Sequence, residues 1–253
     1  MKGGKQREMN HKRCRTIVFC ICFFAFLFHV TITSAQRRRQ VPNLPKYDRQ
    51  RIHFGFCLGI NSSGIRPQLS DNFRNLDTVY SITPERLAGL NLGIISNLHL
   101  GDLLDLRFIP ALSFSQRNLI YDVNFSGSRF PTHSLVTKTL ESTYLEFPFD
   151  LKFKSKRIEN YRVYVVGGIK YAIDMISQAK VLTKDKEIVK LRRRDFGYEI
   201  GVGFDFYMTY FKFSPELKMF NGLNNLLVQD NRTYSRPLKG LYSKVFLISF
   251  TFE

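Results

Sequence analysis

The sequence has few of the residues from which disulfide frameworks are built. It contains four Cys among 253 residues, and it also lacks Trp. Three of the cysteines lie within the first 35 residues, so removal of that segment leaves Cys57 alone. One cysteine cannot form an intramolecular disulfide, and a disulfide-stapled exported fold is therefore excluded.

Histidine is also scarce, and past the first 35 residues only His53, His99 and His133 occur. None of them has metal-ligand spacing to another His, to a Cys or to a carboxylate pair. His133 and Ser134 are neighbours in a predicted outer loop, but the nucleophile and base of one site are recognised by geometry rather than adjacency. The sequence thus predicts no metal, no cofactor and no enzymatic site.

Long apolar runs are missing as well. The apolar run Ile17–Phe28 has 12 residues, whereas a helix that spans a bilayer needs about 20. Six Lys or Arg precede it, and the small residues of Thr33–Ala35 follow it. This order is typical of a secretory signal. We predict a signal peptide over residues 1–35, with a membrane anchor as the alternative.

Acidic residues are outnumbered by basic ones, for a net charge of +17; without residues 1–35, 32 basic and 20 acidic residues remain, or +12. No motif of a nucleic-acid-binding domain is present, so the predicted partner is an anionic membrane surface and not nucleic acid. Residues 36–51 are basic and contain Arg37, Arg38 and Arg39. We predict an extended periplasmic tail there, either solvated or a contact arm for partners.

The segment Tyr161–Met175 alternates between two kinds of residue. Its odd positions are almost wholly apolar, and its even positions mix charged with small residues. A period of two indicates a β-strand. At 15 residues it is far longer than the usual soluble strand of about five or six. A strand of this length with one apolar face favours a tilted membrane span.

The same pattern recurs along the chain and predicts an all-β, eight-stranded antiparallel up-and-down transmembrane barrel over residues 52–253. The predicted strands are Ile52–Ile60, Arg86–Leu100, Leu104–Tyr121, Thr139–Lys154, Tyr161–Met175, Phe196–Met208, Tyr210–Met219 and Ser243–Phe252. Their connections alternate between long and short, which is typical of outer-membrane barrels with long outer loops and short periplasmic turns. The predicted location is the cell outer membrane.

Residue size separates a membrane barrel from a soluble one, which would carry its apolar face inward. Aromatic residues such as Phe147 and Phe204 occupy the apolar face, and Gly201 and Gly203 occupy the polar face. Bulk suits the convex outside and glycine the crowded inside, so the polar face is predicted to line the lumen. The predicted lumen charges are Arg107, Glu146, Asp150, Lys152, Lys170, Asp174, Glu199, Asp205, Lys212, Glu216 and Lys218.

We interpret these lumen charges as a paired network, because buried charges need partners. A catalytic carboxylate pair among them is the less favoured alternative. Eight strands with a filled lumen also exclude an aqueous pore.

The predicted loop over residues 179–194 is strongly basic. Its cations include Lys184, Lys186, Arg192, Arg193 and Arg194. Two interpretations stay open: these residues keep the loop soluble, or they contact a partner or the phosphates of lipopolysaccharide.

The signal ending in S-A-Q, the eight alternating strands and the segment Tyr144–Lys152 (Y-L-E-F-P-F-D-L-K) resemble the PorT family of outer-membrane β-barrels of the Bacteroidota. The resemblance implies a non-enzymatic component required for type IX protein secretion, and in gliding bacteria for motility, with other secretion components as partners. Glu253 departs from the terminal aromatic residue that is common in such barrels. A general structural or adhesive barrel and an envelope-lipid hydrolase are the alternatives.

Overall fold

A computed structural model describes residues 42–71, 73, 79–124, 133–176, 189–230 and 234–253. The described part contains one short 3-10 helix, Tyr47–Arg49, and a set of long β-strands. The strands are β1 (Ile52–Leu69), β2 (Val79–Gly101), β3 (Leu104–Phe108), β4 (Ala111–Asn124), β5 (His133–Lys154), β6 (Tyr161–Asp174), β7 (Arg194–Tyr207), β8 (Lys212–Gly222) and β9 (Leu238–Phe252). No helix of the described residues is long and apolar enough to cross a membrane.

The strands form a closed antiparallel ring. Each strand except β3 pairs with the next strand along the chain, and β1 also pairs with β9. β3 and β4 share one position between β2 and β5, separated by Ile109 and Pro110. Proline has no N–H to donate, so the ladder is interrupted there. The ring therefore has eight strands, and the predicted eight-stranded antiparallel barrel is confirmed.

The two ends of the ring differ in their connections. The short turns at residues 102–103, 155–160 and 208–211 lie at the end where β1 begins and β9 ends. The longer connections, 70–78, 125–132, 175–193 and 223–237, lie at the other end. Outer-membrane barrels place short turns in the periplasm, so we assign the first end to the periplasm and the second to the outside.

Several strands extend further outward than the sequence predicted. β1 continues past Ile60 to Leu69 in register with β9, and β5 begins at His133 rather than Thr139. The predicted strands Ile52–Ile60 and Arg86–Leu100 left a long loop of residues 61–85 between them; this loop is wrong in its bounds, and the connection is residues 70–78. The hydrophobic alternation stops where a strand leaves the lipid, but backbone pairing continues beyond that point.

The outer face of the ring is apolar. Phe54 is 70% exposed, Ile169 53% and Ile200 49%. Glycine at inward positions makes room for neighbouring side chains, because a Cβ at Gly203 would overlap the ring of Tyr164. The structure thus has the bulky apolar residues on the outside of the ring and these glycines on the inside, as residue size predicted.

The predicted signal peptide, residues 1–35, and the tail residues Arg37, Arg38 and Arg39 lie outside the described residues. The described part of the predicted tail, residues 42–51, is not an extended, solvated segment. The 3-10 turn Tyr47–Arg49 packs against the barrel end through Tyr47, whose ring stacks on His53 with centroids 3.9 Å apart.

Candidate functional site: the filled interior of the barrel

The structure places all eleven predicted lumen charges inside the ring, and each of them is buried. They occupy alternate positions of β3, β5, β6, β7 and β8, and alternation directs such side chains to one face of a sheet. They are Arg107, Glu146, Asp150, Lys152, Lys170, Asp174, Glu199, Asp205, Lys212, Glu216 and Lys218.

Arg107 is the centre of a cluster towards the periplasmic end. Its Nη1 donates to Glu216 Oε2 at 2.9 Å, and its Nη2 donates to Glu253 Oε1 at 3.3 Å. The Tyr164 hydroxyl also donates to Glu216 Oε2, at 2.8 Å. Lys212 Nζ donates to Glu253 Oε2 at 2.7 Å. Two carboxylates are thus shared among two cations and a hydroxyl, which offsets the cost of burying them.

Glu253 follows β9 at the position where such barrels commonly have an aromatic residue, and it is part of this cluster. Its side chain is buried and also accepts a hydrogen bond from the Tyr47 hydroxyl at 2.8 Å. Burial opposes ionisation, but Lys212 and Arg107 outweigh it and hold the pKa of Glu253 well below its ordinary value. No sequence pattern pointed to this role, because it depends on β9 ending beside β8 and β1.

Lys218 links this cluster to a second one. Its Nζ lies 3.2 Å from Glu216 Oε1, 3.1 Å from Glu199 Oε1 and 3.3 Å from Asp150 Oδ2. One ammonium therefore forms ion pairs with three carboxylates, and these pairs join β5, β7 and β8 across the interior.

Two further cations complete the network. Lys170 Nζ lies 3.1 Å from Glu146 Oε2 and 3.7 Å from Glu199 Oε2. Lys152 Nζ donates to both oxygens of Asp205, at 2.7 and 2.9 Å. Ten of the eleven predicted charges thus lie in ion pairs, and the arrangement is that of a structural network.

Asp174 differs from the other ten predicted residues. Within the described residues it forms no ion pair, and its Oδ1 accepts from the backbone N–H of Ile176 at 3.0 Å. Sequence reasoning also left out the buried Arg117, whose Nε donates to Ser63 Oγ at 2.9 Å. Arg117 occupies an inward position of β4, so the alternation that found the others would have found it too.

The outer part of the interior is apolar instead of charged. Inward residues of the strands, such as Leu119 and Leu241, pack there with Leu191, Leu226 and Leu227 from the outer connections. Backbone hydrogen bonds hold these connections in place: Leu226 N donates to Leu241 O at 2.8 Å, and a bridge joins Leu191 to Leu227. The connections thus contribute a hydrophobic plug, which the sequence did not predict.

The periplasmic end is covered by the segment before β1. Asn43 Nδ2 donates to Tyr207 O at 2.9 Å, and the Asn43 N–H donates to Asn160 Oδ1 at 2.8 Å. Asp48 accepts from the Tyr207 hydroxyl at 3.1 Å and pairs with Arg162 at 3.3 Å. In the described part of the chain, the charged interior lies between the apolar plug at the outer end and residues 42–51 at the periplasmic end.

The predicted contact residues of the basic loop are partly described. Arg192, Arg193 and Arg194 line a cleft of about 450 Å³ at the outer end, together with Asn224 and Asn225. Lys184 and Lys186 lie outside the described residues, so their contact with a partner or lipopolysaccharide stays a prediction.

In the described part of the chain, His99 contacts a carboxylate but no hydroxyl or thiol nucleophile. His99 Nδ1 lies 2.8 Å from Asp105 Oδ1, but Lys154 Nζ also binds Asp105, at 2.5 Å. In the described part of the chain, no hydroxyl or thiol is within hydrogen-bond distance of His99. That part also holds no group of three His, Cys, Asp or Glu able to bind a metal ion. The His133 side chain lies outside the described residues.

A closed antiparallel ring with an apolar outer wall and a polar, filled interior defines an integral outer-membrane β-barrel. The chain belongs to the outer membrane protein beta-barrel domain family, which matches residues 34–228. It therefore resides in the cell outer membrane. No curated protein matches the chain. The family match does not distinguish the PorT family, which stays a prediction.

Three solved structures are similar to the chain. The outer membrane protein OprG from Pseudomonas aeruginosa is 11% identical, with a TM-score of 0.42, over 81% of this chain and 95% of that one. Neisserial surface protein A is 9% identical, with a TM-score of 0.40, over 80% and 98%. The N-terminal β-barrel domain of Pseudomonas aeruginosa OprF is 15% identical, with a TM-score of 0.32, over 77% and 96%.

Proposed function

We propose that this barrel is a non-enzymatic, non-conducting scaffold that supports type IX protein secretion by holding other secretion components at the outer membrane. One observation supports the scaffold role above all others: buried charged and apolar side chains of the described residues occupy the interior of the ring. Eight strands enclose only enough space for side chains or one small ligand, so a protein substrate cannot pass through this ring.

The link to type IX secretion rests on the resemblance carried by Tyr144–Lys152. In the structure this segment forms part of β5, where Glu146, Asp150 and Lys152 face inward to the charge network. The resemblance therefore concerns residues that build the scaffold. Contact residues are then expected outside the ring, because rigid scaffolds commonly present functional segments on their loops and termini.

Two basic segments are the proposed contact surfaces. The first is the tail with Arg37, Arg38 and Arg39, which leads into the segment anchored by Asn43 and Tyr47 at the periplasmic end. The second is the outer rim with Arg192, Arg193 and Arg194, lining the cleft beside Asn225, together with Lys184 and Lys186. The first faces periplasmic partners, and the second faces outer partners or lipopolysaccharide.

Deletion of the gene tests the proposal. We expect type IX substrates to accumulate in the periplasm, while resistance to detergents, which reports general envelope integrity, stays unchanged. Normal extracellular levels of those substrates would rule out the secretion role and leave the general structural or adhesive barrel. Detergent sensitivity accompanied by normal secretion would favour the structural barrel directly.

A variant series then tests the tail as the contact. Arg37→Ala, Arg38→Ala and Arg39→Ala together are expected to reduce extracellular substrate with the barrel still folded. The matched control replaces the exposed cations Lys46, Arg49 and Arg51 by Ala, which removes the same charge closer to the barrel. Equal secretion by both triple variants would exclude a specific contact through the arginine triplet.

A further inference from the structure

The outer wall of the ring carries a row of cations where the apolar band ends. Outward residues of β1 are apolar from Ile52 to Ile60, and the next outward position is Ser62. Ten residues of a strand tilted by about 40° span about 25 Å along the membrane normal, the height of the apolar band of such barrels. Ser62 thus lies at the outer edge of the hydrocarbon, and the outward positions above it lie at headgroup level.

Three cations occupy these higher positions on adjacent strands. They are Arg66 of β1, Arg86 of β2 and Lys244 of β9. Arg86 lies over the ring of Phe246, 4.8 Å from its centroid, and Lys244 lies 5.7 Å from the same centroid. Arg66 lies 5.5 Å from the centroid of Tyr242. Two positive charges therefore share one aromatic ring, and a third is beside them.

Gly64 leaves the space that the Arg86 side chain occupies. It is the register partner of Lys244 on β9. A Cβ at Gly64 would lie 2.8 Å from Arg86 Cγ and 3.0 Å from Arg86 Nε, so the Arg86 side chain rests on the bare backbone. The absence of a side chain at Gly64 therefore brings the guanidinium of Arg86 towards Lys244.

These cations form no ion pair with a described residue, and Glu85, the acidic neighbour of Arg86 in the sequence, accepts a hydrogen bond from Asn118 Nδ2 at 2.7 Å instead. No carboxylate of the described part lies within ion-pair distance of Arg66, Arg86 or Lys244. Like charges that surround one ring repel each other, and a bound anion offsets that repulsion. The surface is also one-sided, since outward positions of β4 and β5 carry neutral and acidic groups such as the Gln116–Glu141 pair, with Nε2 and Oε1 3.2 Å apart.

We propose that the Arg66, Arg86 and Lys244 surface binds a phosphate group of a phosphorylated glycolipid in the outer leaflet. The guanidinium of Arg86 donates two parallel N–H groups to the phosphate, and Lys244 adds a compact ammonium. Phe246, Ser62 and Ile60 continue downward from the cations and lie along the acyl chains. The proposal rests on the outer-membrane location and is independent of the secretion role.

Lipid binding to the purified, folded barrel in detergent tests the proposal. The probes are diphosphoryl lipid A, the same lipid without phosphates, and phosphatidylglycerol, with binding measured by native mass spectrometry. We expect the parent protein to bind diphosphoryl lipid A about tenfold or more tightly than the dephosphorylated form, since charge-assisted hydrogen bonds carry the contact. Equal binding of the two lipid A forms would overturn the proposal. Equal binding of phosphatidylglycerol would overturn the glycolipid assignment.

Variants separate the site from general charge. Arg86→Gln with Lys244→Gln should weaken binding of diphosphoryl lipid A about tenfold or more. Gly64→Ala keeps every charge but displaces Arg86, so it should also weaken binding. The control, Lys239→Gln, removes an exposed cation at the same end that pairs with Asp71 at 3.1 Å, and should bind as the parent does. Unchanged binding in the double variant, or an equal loss in the control, would overturn the site; the heat-dependent gel shift verifies that each variant is folded.

Discussion

Two glycine-to-alanine changes of identical chemistry are expected to have opposite effects on barrel stability. Gly203 on β7 faces inward, and a Cβ there would overlap the terminal ring carbon and hydroxyl of Tyr164. Gly167 on β6 has open space where a Cβ would lie. Tyr164 is buried and cannot yield freely, because its hydroxyl donates to Glu216 at 2.8 Å and Lys152 Nζ lies 3.6 Å from its ring centroid.

The magnitude follows from these contacts. Overfilling a packed site costs about 1–3 kcal/mol. Displacing Tyr164 also weakens a hydrogen bond to a carboxylate, worth about 1.5–3 kcal/mol. Replacing glycine by alanine in a strand by itself raises the free energy of unfolding by about 0.5–1 kcal/mol, because alanine loses less conformational freedom on folding. Gly203→Ala should therefore lower the free energy of unfolding by about 3 kcal/mol, whereas Gly167→Ala should be neutral or stabilising by up to about 1 kcal/mol.

The assay is reversible urea unfolding of the barrel in detergent micelles, read as the fraction of fast-migrating, unboiled protein on an SDS gel. The difference between the two variants is the informative quantity, since both add one methyl group to a strand glycine. If Gly203→Ala and Gly167→Ala have the same midpoint and slope, Tyr164 does not pack on Gly203, and the packing described for the Arg107 cluster is wrong.

Three further changes probe the lipid face, the buried pairs and the C-terminus. Ile200→Arg puts a charge on the lipid face and should lower the free energy of unfolding by about 2–4 kcal/mol near the midplane. If the variant and the parent protein have the same free energy of unfolding in lipid bilayers, the outward assignment is wrong. Lys152→Met leaves Asp205 without its close cation and should cost about 3–5 kcal/mol, and adding Asp205→Asn should recover part of that loss in the same assay. The lowered pKa of Glu253 means that its ionised form stabilises the fold above its ordinary pKa, and this contribution is lost as the pH falls through the folded value. Glu253→Gln should thus be less stable than the parent at pH 7, and the gap should narrow in unfolding curves measured at progressively lower pH; a constant gap would show that charge is not the cause.

Alternation along each strand was enough to predict the ring and the side to which each residue points. Residues such as Ile169 and Gly203 could be assigned because a side chain in a strand has only two directions, and lipid accepts only one kind of residue. The limits of the strands were harder to predict. The outward positions Ser62 and Gly64 were interpreted as part of a loop because lipid no longer selects apolar residues there, yet β1 pairs with β9 as far as Leu69.

Partners inside the barrel were decided by the tertiary structure alone. The sequence placed Arg107 in the lumen, but its contacts with Glu216 and Glu253 join residues 109 and 146 positions away along the chain. Such pairs depend on the closing register of β1 with β9 and on the path of the outer connections, which bring Leu191 and Leu227 into the interior. A local period reports the face of a strand on which a residue lies; only closure of the ring determines which residues then meet.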